Sequence, residues 1–312
     1  MGGSCVKNKM ERRHKSRCPS RALTSVAAVL FFAAGARAAS APIPHGTLEL
    51  IAENQSIAPG HEFHLGLHFQ LEKGWHIYWV NPGDSGEPPR VKWQLPAGLT
   101  AGEMEWPTPR RLGTATIVDF GYEDDVMLMV PMHAEAGLAA SGPVQLGAEV
   151  RVLVCREMCI PGKAQISLTP PVKSQTPVPD ARTAALFAAA RNALPHPSPA
   201  KWRLSVADGG DSFLLSVSLG QHVAQATFFP LVESQVKDAA PQQFAVLPGG
   251  FRLTLRKSDQ LLKPIERLKG VLVLAGDRGY IIDVPVSKAL AGQRDARNEI
   301  SPGDSSKEVT RK

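Results

Sequence analysis

Short segments that alternate apolar and polar residues run through most of the chain. Period-two alternation predicts strands at 47–52, 61–69, 126–131, 144–154 and 164–168. The same pattern returns in the second half at 202–206, 213–219, 251–255, 271–275 and 280–286. Clusters of Gly, Pro, Asn and Asp separate these segments, for example at 81–84 and 141–143. Many short strands separated by turns are typical of antiparallel sandwiches, so the sequence predicts an all-β protein.

One segment between the two groups of strands has a helical composition instead. Residues 180–194 are rich in alanine, with Asp180 as a candidate N-cap and Pro195 as a stop signal. Proline-rich stretches flank the segment on both sides, between 170 and 199. The sequence therefore predicts a linker that contains one helix.

These patterns divide the chain into two immunoglobulin-like antiparallel sandwiches. The first is expected at 45–172 and the second at 200–288, with the linker at 173–199 between them. The last residues, 289–312, are polar and without apolar periodicity, which predicts a disordered tail.

The amino terminus has the organisation of an export signal. A basic region precedes the apolar run at 22–35, and the small-residue pattern Ala36-Arg37-Ala38 follows. Residues 1–38 are therefore predicted to be a cleavable signal peptide. The alternative is an uncleaved anchor, although 14 apolar residues fall short of the roughly 20 that a membrane span needs.

The leader also accounts for the basic charge of the chain. The whole chain has a formal net charge of +6, and residues 1–38 contain eight Lys/Arg and one acid, a net of +7. The remainder is therefore 6 − 7 = −1, so the composition gives no indication of nucleic-acid binding.

The cysteines direct attention to one short loop. Cys5 and Cys18 lie in the predicted leader, which leaves Cys155 and Cys159 for the mature protein. Residues four apart in an extended strand are about 13 Å apart, whereas a disulfide needs Cα atoms within roughly 7 Å. The alternation of 147–154 runs directly into Cys155, so a disulfide requires the chain to turn and to place the pair across the mouth of a hairpin.

Three roles are open for this pair: redox exchange, a structural bridge and metal ligation. Closing a five-residue loop contributes only about 2 kcal/mol of stability, less than a bridge over a long loop. Arg156 and Lys163 favour a thiolate electrostatically, while Glu157 opposes it. A lone C-x3-C lacks the further ligands of a zinc site, so redox exchange is the favoured interpretation.

The histidines at 61, 64 and 68 have a spacing that suggests metal ligands. In a strand, however, His64 and His68 share one face and His61 points to the other. We therefore expect ordinary, half-exposed strand histidines and assign no metal site.

Several motifs in order resemble a known family. They are the stretch from Gly74 to Gly86 (GWHIYWVNPGDSG), the segments WPTP at 106–109 and FGYE at 120–123, and VCREMCIPG at 154–162. Together they resemble the N-terminal periplasmic domain of the thiol:disulfide interchange protein DsbD. The likeness is greater to relatives of the suppressor-of-copper-sensitivity B (ScsB) type, and it covers roughly residues 45–290.

The resemblance implies a periplasmic reductant relay. Members of the family receive electrons from a membrane domain through a thioredoxin-like domain and deliver them to periplasmic oxidoreductases. Cys155 and Cys159 match the family's reactive pair, which an aromatic cap shields. The candidate cap or modulating residues here are Trp75, Tyr78, Trp79, Phe120, Tyr122, Arg156 and Glu157.

The sequence departs from the family in containing neither the apolar spans of the membrane domain nor a thioredoxin-type C-x-x-C. We therefore expect a component of the protein-disulfide reductase type, without a cofactor. Its expected partners are a thioredoxin-like periplasmic oxidoreductase and a separate membrane thiol transporter. The alternatives are a non-catalytic binding or assembly module with a structural disulfide, and a copper-handling protein.

Overall fold

The computed structural model describes residues 39–114, 116–275 and 278–288. The predicted signal peptide at 1–38 and the predicted tail at 289–312 lie outside the described residues. The strands of the first half are β1 (Ala39–Ile43), β2 (Gly46–Ala52), β3 (Glu62–Leu71), β4 (His76–Gly83), β5 (Arg90–Gln94), β6 (Leu99–Ala101), β7 (Arg110–Gly113), β8 (Val118–Glu123), β9 (Asp125–Ala134), β10 (Gly142–Pro143), β11 (Leu146–Cys155), β12 (Cys159–Leu168) and β13 (Pro171–Val172). The later elements are α1 (Ala184–Ala193), β14 (His196–Pro197), β15 (Arg203–Asp208), β16 (Ser212–Ser218), β17 (Ala226–Pro230), β18 (Gln243–Leu247), β19 (Gly250–Arg256), β20 (Arg267–Leu274) and β21 (Gly279–Lys288).

The predicted all-β fold is confirmed, and the first sandwich consists of two antiparallel sheets. One sheet has the strand order β1-β2-β3-β9-β6, and the other has the order β12-β11-β4-β8-β7 with β5 paired to β11. Leu48, Leu65 and Phe69 from the first sheet meet Ile77 and Val150 from the second in a fully buried core. Alternation at period two selects these residues, because every second side chain of a strand points to the same face.

Strands β11 and β12 form the hairpin that positions the two cysteines. Val150, Val152 and Val154 of β11 are buried towards the core, while Glu149 and Arg151 lie on the outer face of the sheet. The alternation therefore also places the next odd-numbered residue of the strand, Cys155, on the outer face.

The second sandwich contains strands β14–β21, and it departs from the purely antiparallel arrangement that the sequence predicts. Strand β21 pairs antiparallel with β20 over Gly279–Pro285, and then pairs parallel with β15 over Val286–Lys288. The short strand β14 is also parallel to β21. A parallel pair needs a long crossover connection, and five strands lie between β15 and β21 in the chain. Strand β21 thus joins β17 and β20 to β15, β16, β19 and β18 in one eight-stranded sheet.

Helix α1 lies inside the predicted helical segment but begins later than 180. The carboxylate of Asp180 accepts the backbone N–H of Arg182, while its carbonyl oxygen accepts the N–H of Ala184. The helix packs Phe187 and Ala190 against Ile51, Met127 and Met129 of the first sandwich. It therefore covers the outer face of the β1-β2-β3-β9-β6 sheet. Among the described residues, no helix is long and apolar enough to span a membrane.

Strands β4 and β8 of the first sandwich contact the second sandwich directly. The ring centroid of Phe229 lies 5.2 Å from that of Phe120 and 6.4 Å from that of Trp79. The side-chain amide of Asn81 donates a buried hydrogen bond of 2.7 Å to the carbonyl oxygen of Pro230. The strand β4 is thereby held by aromatic packing and by a satisfied polar contact.

Candidate active site

The two cysteines form a disulfide across the mouth of the β11–β12 hairpin, as the sequence predicts. Cys155 ends β11, Cys159 begins β12, and the two residues are direct cross-strand partners. Their Cα atoms are 4.1 Å apart and their sulfur atoms are bonded. The turn of the hairpin consists of Arg156, Glu157 and Met158, with the N–H of Arg156 donating to the carbonyl oxygen of Met158.

The two sulfurs lie in different surroundings. Cys155 is only 2% exposed and also pairs with His76 of β4, so that strands cover it on both sides. Cys159 is exposed, because β12 is the edge strand of its sheet. A thiol that approaches from solvent therefore reaches Cys159 first.

The side chain of Tyr78 contacts the exposed cysteine. Its hydroxyl oxygen is 3.4 Å from Sγ of Cys159. The ring itself is fully buried against Gly86, where an added Cβ would lie 2.1 Å from Cζ of the tyrosine. Desolvation, followed by the nearby Asp119, raises the pKa of Tyr78, so its hydroxyl keeps its proton at neutral pH. The hydroxyl can then donate a hydrogen bond to the thiolate that forms when the disulfide opens.

Asp119 and Ser85 form a hydrogen-bonded pair near the Tyr78 hydroxyl. The Ser85 hydroxyl and backbone N–H donate to Oδ1 of Asp119 at 2.8 and 3.2 Å. The nearby Ser85 side chain partly opposes the rise in the pKa of Tyr78. Desolvation raises the pKa of Asp119, and the Ser85 hydrogen bonds oppose that rise. The hydrogen-bonded pair of Asp119 and Ser85 therefore forms part of the polar surroundings of the Tyr78 hydroxyl.

His76 is a site residue that the sequence reasoning missed. It is 8% exposed, lies opposite Cys155 in register, and packs edge-on to Tyr78 at 5.2 Å. Desolvation lowers its pKa, while the charges of Asp119 and Glu123 oppose the shift. Its Nε2 atom is buried and has no hydrogen-bond partner among the described residues. Its position two residues before Tyr78 is the sequence signal that places both on one face of β4.

Trp75 and Arg156 stand beside the hairpin turn. The guanidinium carbon of Arg156 lies 5.0 Å from the centroid of the Trp75 ring, a cation–π distance. The ring of His45 stacks on Trp75 at 3.6 Å and its Nδ1 is 2.9 Å from a carboxylate oxygen of Glu72. These contacts hold Arg156 next to Cys155, whereas Glu157 is exposed at the turn.

The other aromatic cap candidates point away from the disulfide, which corrects that expectation. Trp79 follows Tyr78 and so points to the opposite, core face of β4. Phe120 and Tyr122 of β8 also face the core, since Tyr122 lies opposite Ile77 while Gly121 lies opposite Tyr78. The Tyr122 hydroxyl donates to the carbonyl oxygen of Pro107 at 2.7 Å. These three residues support the sandwich rather than shield the sulfurs.

The strand histidines have carboxylate neighbours. His64 Nδ1 is 3.2 Å from Glu53, and His68 Nε2 is 2.9 Å from Asp125. His68 is buried at 3% exposure rather than half exposed. Within the described part of the chain, no group of three or more His, Cys, Asp or Glu side chains has an arrangement that could hold a metal ion.

Comparison with known proteins agrees with the resemblance noted in the sequence. Residues 47–171 match the family model described as thiol:disulfide interchange protein DsbD, N-terminal. The N-terminal periplasmic domain of ScsB from Proteus mirabilis has a similar structure, with a TM-score of 0.63 and 17% identity, covering 80% of this chain and 97% of that one. Domains 5–6 of the S-layer protein SbsC align with a TM-score of only 0.20 at 10% identity, over 81% of this chain and 100% of that one. No curated protein sequence matches the chain significantly.

Proposed function

We propose, on the premise that residues 47–171 form a DsbD N-terminal domain, that this protein exchanges disulfides with a thioredoxin-like partner through Cys155 and Cys159. The proposal rests on the difference between the two cysteines in solvent exposure and in contact with Tyr78. Cys159 is exposed and has the Tyr78 hydroxyl at 3.4 Å, while Cys155 is buried beside it. A purely structural bridge requires no such asymmetry.

We infer a role for each sulfur from this asymmetry. In the oxidised protein, a partner thiolate attacks Sγ of Cys159 and forms a mixed disulfide, and the S–S electron pair leaves with Cys155, which takes up a proton. A second partner thiol then attacks the partner's own sulfur, so that the partner leaves oxidised and the pair is left as a dithiol. In the opposite direction, Cys159 is the nucleophile and Cys155 resolves the mixed disulfide. The Tyr78 hydroxyl stabilises the Cys159 thiolate in both directions.

The relay is placed in the periplasm, after export directed by residues 1–38. Electrons reach the pair by direct contact with the thiols of another protein, because a dithiol exchanges electrons by sulfur-to-sulfur attack. A separate membrane thiol transporter is the expected source, and a thioredoxin-like oxidoreductase is the expected exchange partner. The mature protein itself needs no cofactor for this chemistry.

Trapping of the mixed disulfide tests the proposal. In Cys155→Ser the exposed Cys159 remains and cannot be resolved, so the variant should capture a C-x-x-C protein covalently when it is exported in a bacterial cell. Cys159→Ser leaves only the buried sulfur and should capture far less, and the double variant should capture nothing. The captured species should disappear on reduction and should be identified by mass spectrometry. Absence of any such adduct in a folded, exported Cys155→Ser protein would favour a non-catalytic binding module.

A further inference from the structure

The disulfide is the first of three successive pairs of residues that point outwards from the β11–β12 hairpin. Cys155 faces Cys159, Leu153 faces Pro161, and Arg151 faces Lys163 across the two strands. Directly opposed residues in an antiparallel pair share a face, and residues two apart share it as well. Along the strands, this outer surface therefore presents first the disulfide, then an apolar pair and then a pair of cations.

A third strand widens the cationic end of this surface. Arg90 of β5 is the register partner of Arg151, so that Arg90, Arg151 and Lys163 form one row across three strands. A groove of about 700 Å³ runs over this face, and Glu87 and Pro88 form part of its wall. We call it the basic groove, lined by Arg90, Arg151, Leu153, Pro161 and Lys163.

The cations of the basic groove remain available to solvent. Glu149 bridges Lys163 at 3.0 Å and Arg151 at 3.3 Å, yet the side chains of these two cations are 54% and 70% exposed. Arg90 is 72% exposed and 3.9 Å from Glu87. The three cations thus face two carboxylates, a local excess of one positive charge. The chain beyond residue 38 carries a net charge of −1, so this excess is a local feature.

We propose that the basic groove docks an extended, acidic segment of the partner polypeptide, next to the partner's reactive cysteine. This inference rests on the proposed function and specifies its partner. Four residues of an extended strand span about 13 Å. When the reactive cysteine of the partner segment lies at Cys159, the partner residue two positions away lies over Leu153 and Pro161, and an apolar residue fits there. An acidic residue four positions away then lies at Arg151 and Lys163. The apolar pair Leu153 and Pro161 separates the disulfide from the cations. A polypeptide can contact all three parts of this surface, whereas a simple anion contacts only the cations.

Thiol peptides test this spacing directly on the oxidised protein. The acidic peptide is Asp-Gly-Leu-Gly-Cys-Gly-Leu-Gly-Asp, which covers both strand directions, and its matched versions carry Lys or Asn in place of Asp. Peptide thiolate attacks Cys159, and a second peptide then displaces the first, so two peptides become one peptide disulfide and the protein becomes a dithiol. The uncharged thiol 2-mercaptoethanol follows the same stoichiometry and reports the reactivity of the pair alone.

The acidic peptide should reduce the disulfide about tenfold faster than the Asn peptide at low ionic strength, and the Lys peptide should be slowest. The advantage should shrink to about twofold or less in about 0.5 M NaCl. The triple variant Arg90→Gln, Arg151→Gln and Lys163→Gln should lose the advantage. A matched triple variant of exposed cations in the second sandwich, Lys201→Gln, Arg203→Gln and Lys288→Gln, should retain it.

Equal rates for the three peptides on the unaltered protein would overturn the docking proposal without any variant. If 2-mercaptoethanol still opens the bond in that case, disulfide exchange stands and only the groove is rejected. If neither the peptides nor 2-mercaptoethanol opens the bond, the proposed function and the docking proposal both fail.

Discussion

The phenolic oxygen of Tyr78 lies 3.4 Å from Sγ of Cys159, on the face of β4 that also presents His76 to Cys155. One buried tyrosine therefore distinguishes the two sulfurs of a bond that joins neighbouring strands. In the exchange that we propose, the exposed sulfur is both the point of attack and the stabilised leaving thiolate.

Replacing Tyr78 by Phe should move the alkylation of Cys159 in the reduced protein to higher pH. The variant removes a hydrogen bond to a charged group, which is typically worth about 1.5–3 kcal/mol, and water replaces part of it at this exposed sulfur. The pH dependence of alkylation by iodoacetamide measures the change. An unaltered profile would show that the hydroxyl does not act on the sulfur.

Tyr122→Phe is the matched control, because it removes a hydroxyl from the core face of the neighbouring strand. It leaves the carbonyl oxygen of Pro107 without its hydrogen bond and should lower the free energy of unfolding by about 1–2 kcal/mol. The alkylation profile of Cys159 should not change, since this hydroxyl faces away from the disulfide.

Gly86→Ala should disturb the site through Tyr78. The residue has a φ of +84°, and the new Cβ would meet the tyrosine ring at 2.1 Å, so the ring must shift. Gly210→Ala shares the positive φ (+91°) but has nothing within 4 Å of its added Cβ. Backbone strain should lower the free energy of unfolding of both variants by about 1 kcal/mol, as measured by urea denaturation. The displaced tyrosine ring should lower it further in Gly86→Ala. Only Gly86→Ala should alter the rate at which the disulfide is reduced, and equal rates in both would contradict the positioning of Tyr78 by this loop.

Asp238 should make the stability of the protein depend on pH. It is 7% exposed, and its pKa rises to about 7 through desolvation, with Asp84 and Glu233 adding to the rise and Arg111 opposing it. Between about pH 4 and 7 the unfolded chain has already lost this proton while the folded protein keeps it. Stability should therefore fall as pH rises through this range.

Asp238→Asn should remove that dependence and stabilise the protein at pH 8 by on the order of a few kcal/mol, since one pKa unit corresponds to about 1.4 kcal/mol. Urea denaturation at several pH values measures it, with the exposed carboxyl variant Asp211→Asn as control. If the stability of the variant still fell with rising pH as steeply as that of the unaltered protein, Asp238 would not be the source of the pH dependence.

The disulfide itself should contribute little to folding. Closing a five-residue loop is worth about 2 kcal/mol at most in the chain-entropy model, while the core of the first sandwich is built from the two sheets. The variant with Cys155→Ser and Cys159→Ser should therefore remain folded, with a loss of no more than about 2 kcal/mol in urea denaturation. A protein that fails to fold would identify the bridge as structural.

Period-two alternation allowed much of the fold to be predicted. It located the strand that became β11, and the required turn after Cys155 then implied the hairpin. The alanine content of residues 180–194 predicts the helix, although the helix begins at Ala184 and not at Asp180. The Asp180 carboxylate accepts the backbone N–H of Arg182, which lies in the turn before the helix. The sequence alone does not determine which backbone N–H this carboxylate binds.

The side-chain arrangement of the site was less predictable because it depends on register. The aromatic residues of β4 and β8 looked equivalent in sequence, yet the pairing of Tyr78 with Gly121 sends Phe120 and Tyr122 to the core. His76 becomes a site residue only through its pairing with Cys155. The parallel pairing of β15 with β21 likewise joins segments about 80 residues apart, beyond the range of any local pattern.

The reduction potential of the Cys155–Cys159 pair tests the central claim most directly. It is measured by equilibrating the protein with defined ratios of reduced and oxidised glutathione or dithiothreitol. Known thiol oxidoreductases lie between about −270 and −120 mV, and the exposed Cys159 beside Tyr78 predicts a value in this interval. A potential below about −300 mV, in the range of structural disulfides, would contradict a role in thiol–disulfide exchange.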